Sequence, residues 1–246
     1  MALAACCLAS AVRAEELVLC LDEHPHPPYV LADGQGAVPD AVRAAAAPLG
    51  LTVRFQHAPL ERCWRQMEQG LVHGYPAVAA SQELRQRFVF PLQQGEPDPR
   101  RATLRLPILL YRRKGSAVQW DGHRLHGLTG RVLVPTAAPL PAERLRQLGA
   151  QVDTNAKTLA QNFEKLLAGR GDLAVGLGYD GALLLRQSRF GNSIEALPMP
   201  LMQPDYYLAI APAYYASHAQ QVHALWQALG RHREHTSNAQ PPSGEG

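Results

Sequence analysis

Short apolar runs alternate along this chain with longer stretches in which apolar residues recur every three or four positions. Residues 17–21 form a continuous apolar run, as expected for a strand that is covered on both faces. A helix is predicted over residues 59–70, where four side chains share one face: Leu60, Cys63, Trp64, Met67. Strands that alternate with helices in this way predict an α/β fold with mostly parallel strands.

The alternation predicts two successive βαβαβ units. In the first, strands are predicted at 17–21, 52–56, 72–79 and 104–111, and helices at 40–49, ending at Gly50, and 59–70. In the second, strands are predicted at 131–135, 151–153 and 172–176, and helices at 141–148 and 159–168, the latter ending before Gly169. A strand at 206–210 and a helix at 219–232 follow, with Trp226 on the apolar face of that helix. Residues 236–246 are rich in Ser, Asn, Pro and Gly and are predicted to be disordered.

Composition and charge exclude several classes of protein. The 246 residues, 46% of them hydrophobic and 18% charged, suffice for one large globular domain or for two lobes of roughly 100 residues each. The formal net charge of +3 comes from scattered Arg residues, with no basic run interleaved with aromatic residues, so no nucleic-acid partner is expected. No window reaches the roughly 18 uninterrupted apolar residues of a membrane-spanning helix.

The amino-terminal segment differs in composition from the rest of the chain. Residues 1–12 are mostly small and apolar, Ala14 completes a site of the kind that signal peptidases cleave, and two acidic residues follow. We therefore expect residues 1–14 to be a signal peptide and the mature protein to be periplasmic. Because the segment lacks a positively charged start, a ragged terminal helix is the alternative interpretation.

Removal of the leader would leave two cysteines, Cys20 and Cys63, in an oxidising compartment. Two is the number that one disulfide requires. Cys20 lies on the first predicted strand and Cys63 on the inward face of a helix in the same lobe, which favours a bond between them. A pair of buried free thiols is the alternative.

Motifs for catalysis or cofactor binding are missing from the sequence. It contains no Gly-rich phosphate loop, no Gly-x-Ser-x-Gly elbow and no zinc-protease motif, so no catalytic residue and no cofactor is predicted. The loop 22–26 carries acids and imidazoles, but Pro25 stiffens it and no second His or Cys cluster has ligand spacing. We therefore predict no metal site.

Several short motifs, in their order along the chain, resemble those of the family 3 extracellular solute-binding proteins. They are Pro27-Pro28-Tyr29, Gly34-Gln35-Gly36 ahead of Asp40, Ser81 to Arg85 ahead of Phe90-Pro91, Leu128 to Val132, and Leu167 to Asp172. The resemblance extends over nearly the whole mature chain. Cys20 together with residues 59–64, which include an Arg-Cys pair, is similar to a poorly characterised subgroup.

The resemblance implies a type II periplasmic-binding-protein fold, in which two lobes of mixed, mostly parallel sheet are flanked by helices and joined by two hinge strands. Lobe 1 would comprise residues 15–108 and the returning segment 204–235, and lobe 2 residues 109–203. The implied function is capture of a small polar, anionic or amino-acid-like molecule between the lobes. The protein would be a monomer that serves an ABC importer permease or a membrane sensor, and it would not be an enzyme.

Two other functions remain open on the same fold. A few enzymes share it, so a small-acid dehydratase of the cyclohexadienyl dehydratase type is the alternative among enzymes. The fold also serves as the input domain of receptors, so a ligand-sensing module that acts through a membrane receptor is the alternative among interaction proteins. A test for turnover of prephenate-like acids separates the first of these from simple binding.

Six side chains are expected to contact the ligand: Glu23, Tyr29, Arg62, Ser81, Arg85, Asp180. The ring of Tyr29 offers an aromatic platform beside the polar loop that follows the first strand. Arg85 is expected to be the principal anchor for an anionic group, because its planar fork of donors matches a carboxylate, with Arg62 assisting.

The chain departs from the family pattern at positions that matter for ligand choice. Leu84 stands where amino-acid binders carry the carboxylate-binding Arg, and Arg85 is one residue further on. Leu177 stands where those proteins carry the Asp that pairs with the α-amino group, and Asp180 lies three residues further on. His73 occupies a place where the family often has Asp, and a structural role at a turn is expected for it.

Overall fold

The computed structural model describes residues 15–136 and 138–239, with side chains to residue 234. The predicted signal peptide, 1–14, lies outside the described residues. The chain forms two compact units. One contains the residues up to Leu104 and those from Asp205 onwards, and the other is Arg105–Pro204. They are called unit 1 and unit 2 below. Within the described residues, no helix is long and apolar enough to cross a membrane.

The strands, numbered in chain order, are β1 Glu15–Asp22, β2 Leu51–Ala58, β3 Gly74–Ala79, β4 Leu92–Gln93, β5 Glu96–Pro97, β6 Leu104–Arg105, β7 Ile108–Arg113, β8 Gln119–Trp120, β9 Leu125–His126, β10 Val132–Pro135, β11 Val152–Ala156, β12 Leu173–Leu177, β13 Ile194–Ala196 and β14 Asp205–Ile210. The helices are α1 Ala37–Ala46, α2 Leu60–Glu68, α3 Gln82–Arg87, α4 Pro139–Gln147, α5 Leu159–Leu167, α6 Gly178–Leu185, α7 Ser188–Gly191 and α8 Pro212–Ala239. Short 3-10 turns cover Ala47–Leu49 and Pro99–Arg101.

Unit 1 is built on a five-stranded sheet with the order β2-β1-β3-β14-β6. β1 runs parallel to both β2 and β3, whereas β14 is antiparallel to β3. The core packs around β1 and the inward faces of α1, α2 and α8, as the apolar helix faces predict. Trp226 on α8 is fully buried, and its indole N–H donates to the Leu208 carbonyl at 2.8 Å, so the largest core side chain also has its polar atom satisfied.

Unit 2 contains a second five-stranded sheet, with the order β11-β10-β12-β7-β13. β10 runs parallel to β11 and β12, and β7 is antiparallel to β12 and β13. Both faces of this sheet are covered, and on one of them Tyr111, Phe163 and Phe190 pack edge to face at centroid distances of 5.1 and 5.3 Å. The α/β class and the mixed sheets predicted from the sequence are confirmed.

Glycine ends two helices where the sequence predicts that they end. Gly50 follows the 3-10 turn after α1 with φ 70°, and Gly169 follows α5 with φ 71°. Both values lie in the left-handed region, which glycine adopts without the steric penalty that a Cβ would impose.

The structure differs from the sequence prediction in several elements. The single strand predicted at 104–111 is two strands, β6 and β7, which belong to different sheets. Pro107 lies between them and has no N–H to donate to a neighbouring strand, so the inter-strand hydrogen bonds are interrupted there. The polar stretch 81–87 forms α3, and α8 extends to Ala239, past residue 236 where disorder is predicted.

Helix α6 was not predicted, because its sequence contains two glycines, which weaken a helical pattern. Gly181 is explained by tertiary packing. A Cβ at this position would overlap the phenol ring of Tyr111, so only glycine lets α6 lie directly against β7.

Candidate functional site

The carboxyl ends of three parallel strands meet at one edge of the unit 1 sheet. β1 and β2 pair in register from Glu15 with Leu51 to Asp22 with Ala58, and β3 joins β1 through Leu19 and Gly74. The segments that leave these strands carry four of the predicted ligand residues, which are Glu23, Tyr29, Arg62 and Ser81. Parallel strands therefore collect at one edge the side chains that are far apart in sequence.

The loop after β1 is folded against the start of α1. The main-chain N–H of Glu23 donates to the Ala58 carbonyl at 3.1 Å, and the side chain of Glu23 is exposed. The Tyr29 carbonyl accepts from Val38 N–H at 3.0 Å, which ties the loop to α1. Gly36 makes this possible, because a Cβ there would lie 2.8 Å from the Tyr29 carbonyl oxygen.

The ring of Tyr29 is half-buried and lies near a second phenol, that of Tyr206 on β14. Burial raises the pKa of Tyr206, and the neighbouring Tyr29 raises it further. Tyr206 is therefore a neutral hydrogen-bonding group near neutral pH. Tyr206 was not among the predicted ligand residues, because only the pairing of β14 with β3 brings it to this part of unit 1.

Arg62 lies in the first turn of α2, beside a disulfide. Cys20 on β1 and Cys63 on α2 are bonded, with their Cα atoms 5.6 Å apart, which confirms the predicted pair. The disulfide joins the start of α2 to the end of β1. The guanidinium of Arg62 is exposed and has no ion-pair partner among the side chains described, those of residues 15–136 and 138–234.

A partly buried phenol, which the sequence did not indicate, also lies at this edge. Tyr75 packs against Trp64 at a centroid distance of 4.8 Å. Burial, and then the Asp22 carboxylate, raise the pKa of Tyr75 well above its ordinary value. In the sequence Tyr75 looks like any other aromatic residue of a strand, so no local signal identifies it as part of the candidate site.

Ser81 and Arg85 both belong to α3, and the structure gives each a partner. The Ser81 hydroxyl caps the helix by accepting from Leu84 N–H at 3.3 Å. The Arg85 guanidinium donates to the Gly95 carbonyl at 3.2 Å and to the Glu96 carboxylate at 3.1 Å. Glu96 is 78% exposed, and exposed ion pairs of this kind contribute at most about 1 kcal/mol, so a bound anion can compete for Arg85.

In unit 2, the start of α5, which follows β11, and helix α6, which follows β12, line a pocket of about 280 Å³. Its lining consists of Thr158, Leu159, Ala160, Asp180, Leu183, Leu184 and Gln187. Asp180 is exposed in the first turn of α6, directly after β12. Thr158 caps α5, with its hydroxyl accepting from Gln161 N–H at 3.2 Å. The pocket thus combines apolar walls with one carboxylate.

Asp180 also influences a buried tyrosine beneath α6. Burial, and then the Asp180 carboxylate, raise the pKa of Tyr111, whose hydroxyl donates to the Leu177 carbonyl at 3.3 Å. The other polar lining residues, Thr158 and Gln187, were not predicted. The Thr-x-x-Gln capping signature at 158–161 marks the helix start in the sequence and is the one signal that points to this pocket.

Among the side chains that the structure describes, those of residues 15–136 and 138–234, no group of three or more His, Cys, Asp or Glu is arranged to hold a metal ion. In the loop 22–26, His24 pairs with Asp22 at 3.0 Å.

No protein-family model and no curated protein sequence matches this chain. Several solved structures do match it. A probable amino-acid ABC transporter extracellular-binding protein from Bacillus subtilis superposes with a TM-score of 0.65 at 12% identity, covering 92% of this chain and 94% of that one. The GluR0 ligand-binding core from Nostoc punctiforme, in complex with L-glutamate, gives 0.58 at 18% identity, with 92% and 95% covered.

A histidine kinase sensor domain with similarity to periplasmic binding proteins gives a TM-score of 0.62 at 18% identity, with 92% and 94% of the two chains covered. At such identities the likeness concerns the fold. Because each superposition includes both units of this chain and nearly all of the matched one, the chain has the two-lobed fold of the periplasmic binding proteins.

Proposed function

We propose that this chain is an exported solute-binding protein, without catalytic activity, that captures a small polar molecule. The observation that carries the proposal is the shared fold over 92% of the chain with an extracellular-binding protein and a glutamate-bound receptor core. Both of those proteins are described as binding components, and this chain would use the same fold for the same class of task.

The charges at the unit 1 sheet edge favour an anionic group on the ligand. Arg62 has no ion-pair partner among the described residues, and Arg85 is held only by an exposed carboxylate and a carbonyl. Arg donates in a planar fork that fits a carboxylate, and the phenol of Tyr29 would supply a hydrogen bond and apolar contact. The principal anchor proposed is Arg85, with Arg62 assisting.

The unit 2 pocket, taken by itself, favours a ligand that carries a cationic group beside an apolar portion. Asp180 supplies the carboxylate and Leu183 an exposed apolar surface. An amino-acid-like ligand has such a cationic group, and Asp180 would bind it from a position three residues after Leu177, which stands at the family position.

Thermal unfolding in the presence of a metabolite panel tests the proposal. A ligand present at 100 times its Kd stabilises a protein by about 2.7 kcal/mol. For a chain of this size that corresponds to a rise in Tm of about 5 to 10 °C. We expect zwitterionic and anionic small molecules to produce this shift. Stabilisation confined to neutral or cationic compounds would contradict the ligand class, and turnover of prephenate- or arogenate-like acids would identify a dehydratase instead.

Two kinds of protein partner are compatible with this function. The likeness to an ABC transporter binding protein supports an importer permease, and the likeness to a histidine kinase sensor domain supports a membrane sensor. Either partner places the chain in the periplasm as a monomer that delivers or reports its ligand.

Export predicts a defined mature terminus. If residues 1–14 are a signal peptide, cleavage after Ala14 leaves Glu15, the first residue of β1, as the new amino terminus. Mass spectrometry of the protein from a periplasmic extract should therefore give a chain that begins at Glu15. Recovery of the intact amino terminus from the cytoplasmic fraction would contradict export.

A further inference from the structure

Three aromatic rings form a stack in unit 1, away from the predicted ligand residues. His73 precedes β3, Tyr214 lies in the first turn of α8, and His218 lies one turn later. The centroid of the Tyr214 ring is 4.2 Å from that of His73 and 4.1 Å from that of His218, and the planes are inclined by only 13° and 8°. We call these three rings the ring column.

The partner of His73 determines its protonation state. Its Nδ1 atom accepts a hydrogen bond from the main-chain N–H of Val18 on β1, at 3.1 Å. A main-chain N–H can only donate, so Nδ1 must be unprotonated and the ring neutral, with its hydrogen on Nε2. The main chain of His73 also bridges two elements, since its N–H donates to the Val18 carbonyl and its carbonyl accepts from Ala211 N–H.

His218 contacts the start of β1 and the preceding turn of α8. Its Nε2 atom lies 2.6 Å from the Glu15 carboxylate, and its Nδ1 atom lies 3.0 Å from the Tyr214 carbonyl oxygen. The Ser217 hydroxyl lies 2.8 Å from the same Nδ1 atom and donates to the Tyr214 carbonyl at 3.3 Å.

The helix is distorted where this second histidine lies. His218 has φ −128° and ψ 23°, outside the helical region, within the span of α8. Glu15 at the start of β1 binds this segment through three side chains, because it also accepts from the Tyr214 hydroxyl at 3.4 Å and from the Gln221 amide at 2.9 Å. The start of β1 and the first turns of α8 are thus joined around one carboxylate.

Charges on every neighbouring element act on His73. They are Glu15 and Glu16 on β1, Arg54 on β2, which pairs with Glu16 at 3.2 Å, and His218 on α8. Burial lowers the pKa of His73 most, and His218 lowers it further, whereas Glu15 and Glu16 act in the opposite direction. Tyr214 remains neutral between the two histidines, because burial and Glu15 raise its pKa.

We propose that the ring column is an acid-sensitive latch in unit 1, in which protonation of His73 removes the acceptor of Val18 N–H and places a cation within the ring stack. At neutral pH a side-chain link joins β1, the residue before β3 and α8. Protonation of His73 would remove this link. No ligand takes part in this switch, so the proposal stands apart from the proposed function.

The direction of the pH effect follows from His73. In the unfolded chain a histidine titrates near pH 6.5, and in the folded chain the pKa of His73 is lower. Its stabilising contribution is therefore complete above about pH 6.5. As the pH falls below that value, the unfolded state binds a proton that the folded state does not, and stability is lost until the folded-state pKa is reached.

Denaturant unfolding of the intact chain at pH 7.5, 6.5, 5.5 and 5.0 tests the latch. His73→Asn is the informative variant, since an Asn oxygen can accept from Val18 N–H but takes up no proton. Below pH 6.5 the unfolding equilibrium constant of the parent protein should rise with acidification by up to about tenfold per pH unit more than that of His73→Asn. His123→Asn, an exposed histidine of unit 2, is the matched control and should keep the parent profile.

Nitrogen-15 NMR of the imidazole rings provides a test that needs no folded His73 variant. At pH 7 the parent protein should show, for His73, an unprotonated Nδ1 with a protonated Nε2. His218→Gln should raise the pH at which His73 gains its proton, because His218 lowers the pKa of His73. A His73 ring that carries hydrogen on Nδ1 at pH 7 would overturn the proposal, and so would identical pH profiles for the parent and His73→Asn.

Discussion

Replacement of both Cys20 and Cys63 by alanine should lower the free energy of unfolding of unit 1 by about 4 kcal/mol. The two residues are 43 positions apart, and closing a loop of that length reduces the entropy of the unfolded chain by an amount that corresponds to this value. Both cysteines are fully buried, so the bond is well shielded in the folded state. Denaturant unfolding of a chain that begins at Glu15 provides the measurement.

The reduced parent protein is the control for this substitution, because it lacks the disulfide but keeps both side chains. It should unfold at nearly the same denaturant concentration as the double alanine variant, and well below the oxidised parent. If reduction leaves the transition unchanged, or if titration of the denatured oxidised chain finds two free thiols, the stabilising disulfide is refuted.

Arg85→Ala should weaken binding of an anionic ligand by about 2 to 5 kcal/mol, if Arg85 is the principal anchor as proposed. Loss of a buried, hydrogen-bonded charge pair has a cost of this size, and Arg85→Lys should restore little of it because an ammonium lacks the planar fork of donors. Calorimetry with the ligand from the thermal screen measures the change. Arg62→Ala should have a smaller effect, consistent with an assisting role.

Two further variants of the same surface test the assignment to Arg85. Arg87 lies on the same helix, is 29% exposed compared with 28% for Arg85, and pairs with Glu68 and Glu83, so Arg87→Ala should bind as the parent does. Glu96→Gln should tighten binding, because it removes the carboxylate that competes with the ligand for Arg85. Equal affinities of Arg85→Ala and the parent would exclude the anchor role.

The sequence could predict the positions of site residues that directly follow strands. It could not predict which distant residues their side chains contact. Glu23, Arg62 and Ser81 could be placed at one sheet edge because parallel strands share the direction of their ends. The contact of Arg85 with Glu96 depends on the short β4–β5 hairpin, which the sequence pattern did not reveal. Tyr206 reaches the vicinity of Tyr29 only through the pairing of β14 with β3.

By itself the sequence determined the alternation of the longer strands and helices, the glycine ends of α1 and α5, and the choice of Cys20 and Cys63 as partners. These features depend on periodicity, on backbone angles that only glycine adopts easily, and on a count of cysteines. Only the tertiary structure decided the division of 104–111 between two sheets, the fit of Gly181 against Tyr111, and the stacking of His73 with residues more than 100 positions away. The reason is physical: local patterns select a residue's own backbone conformation, whereas the partner of a polar side chain is set by contacts between distant segments.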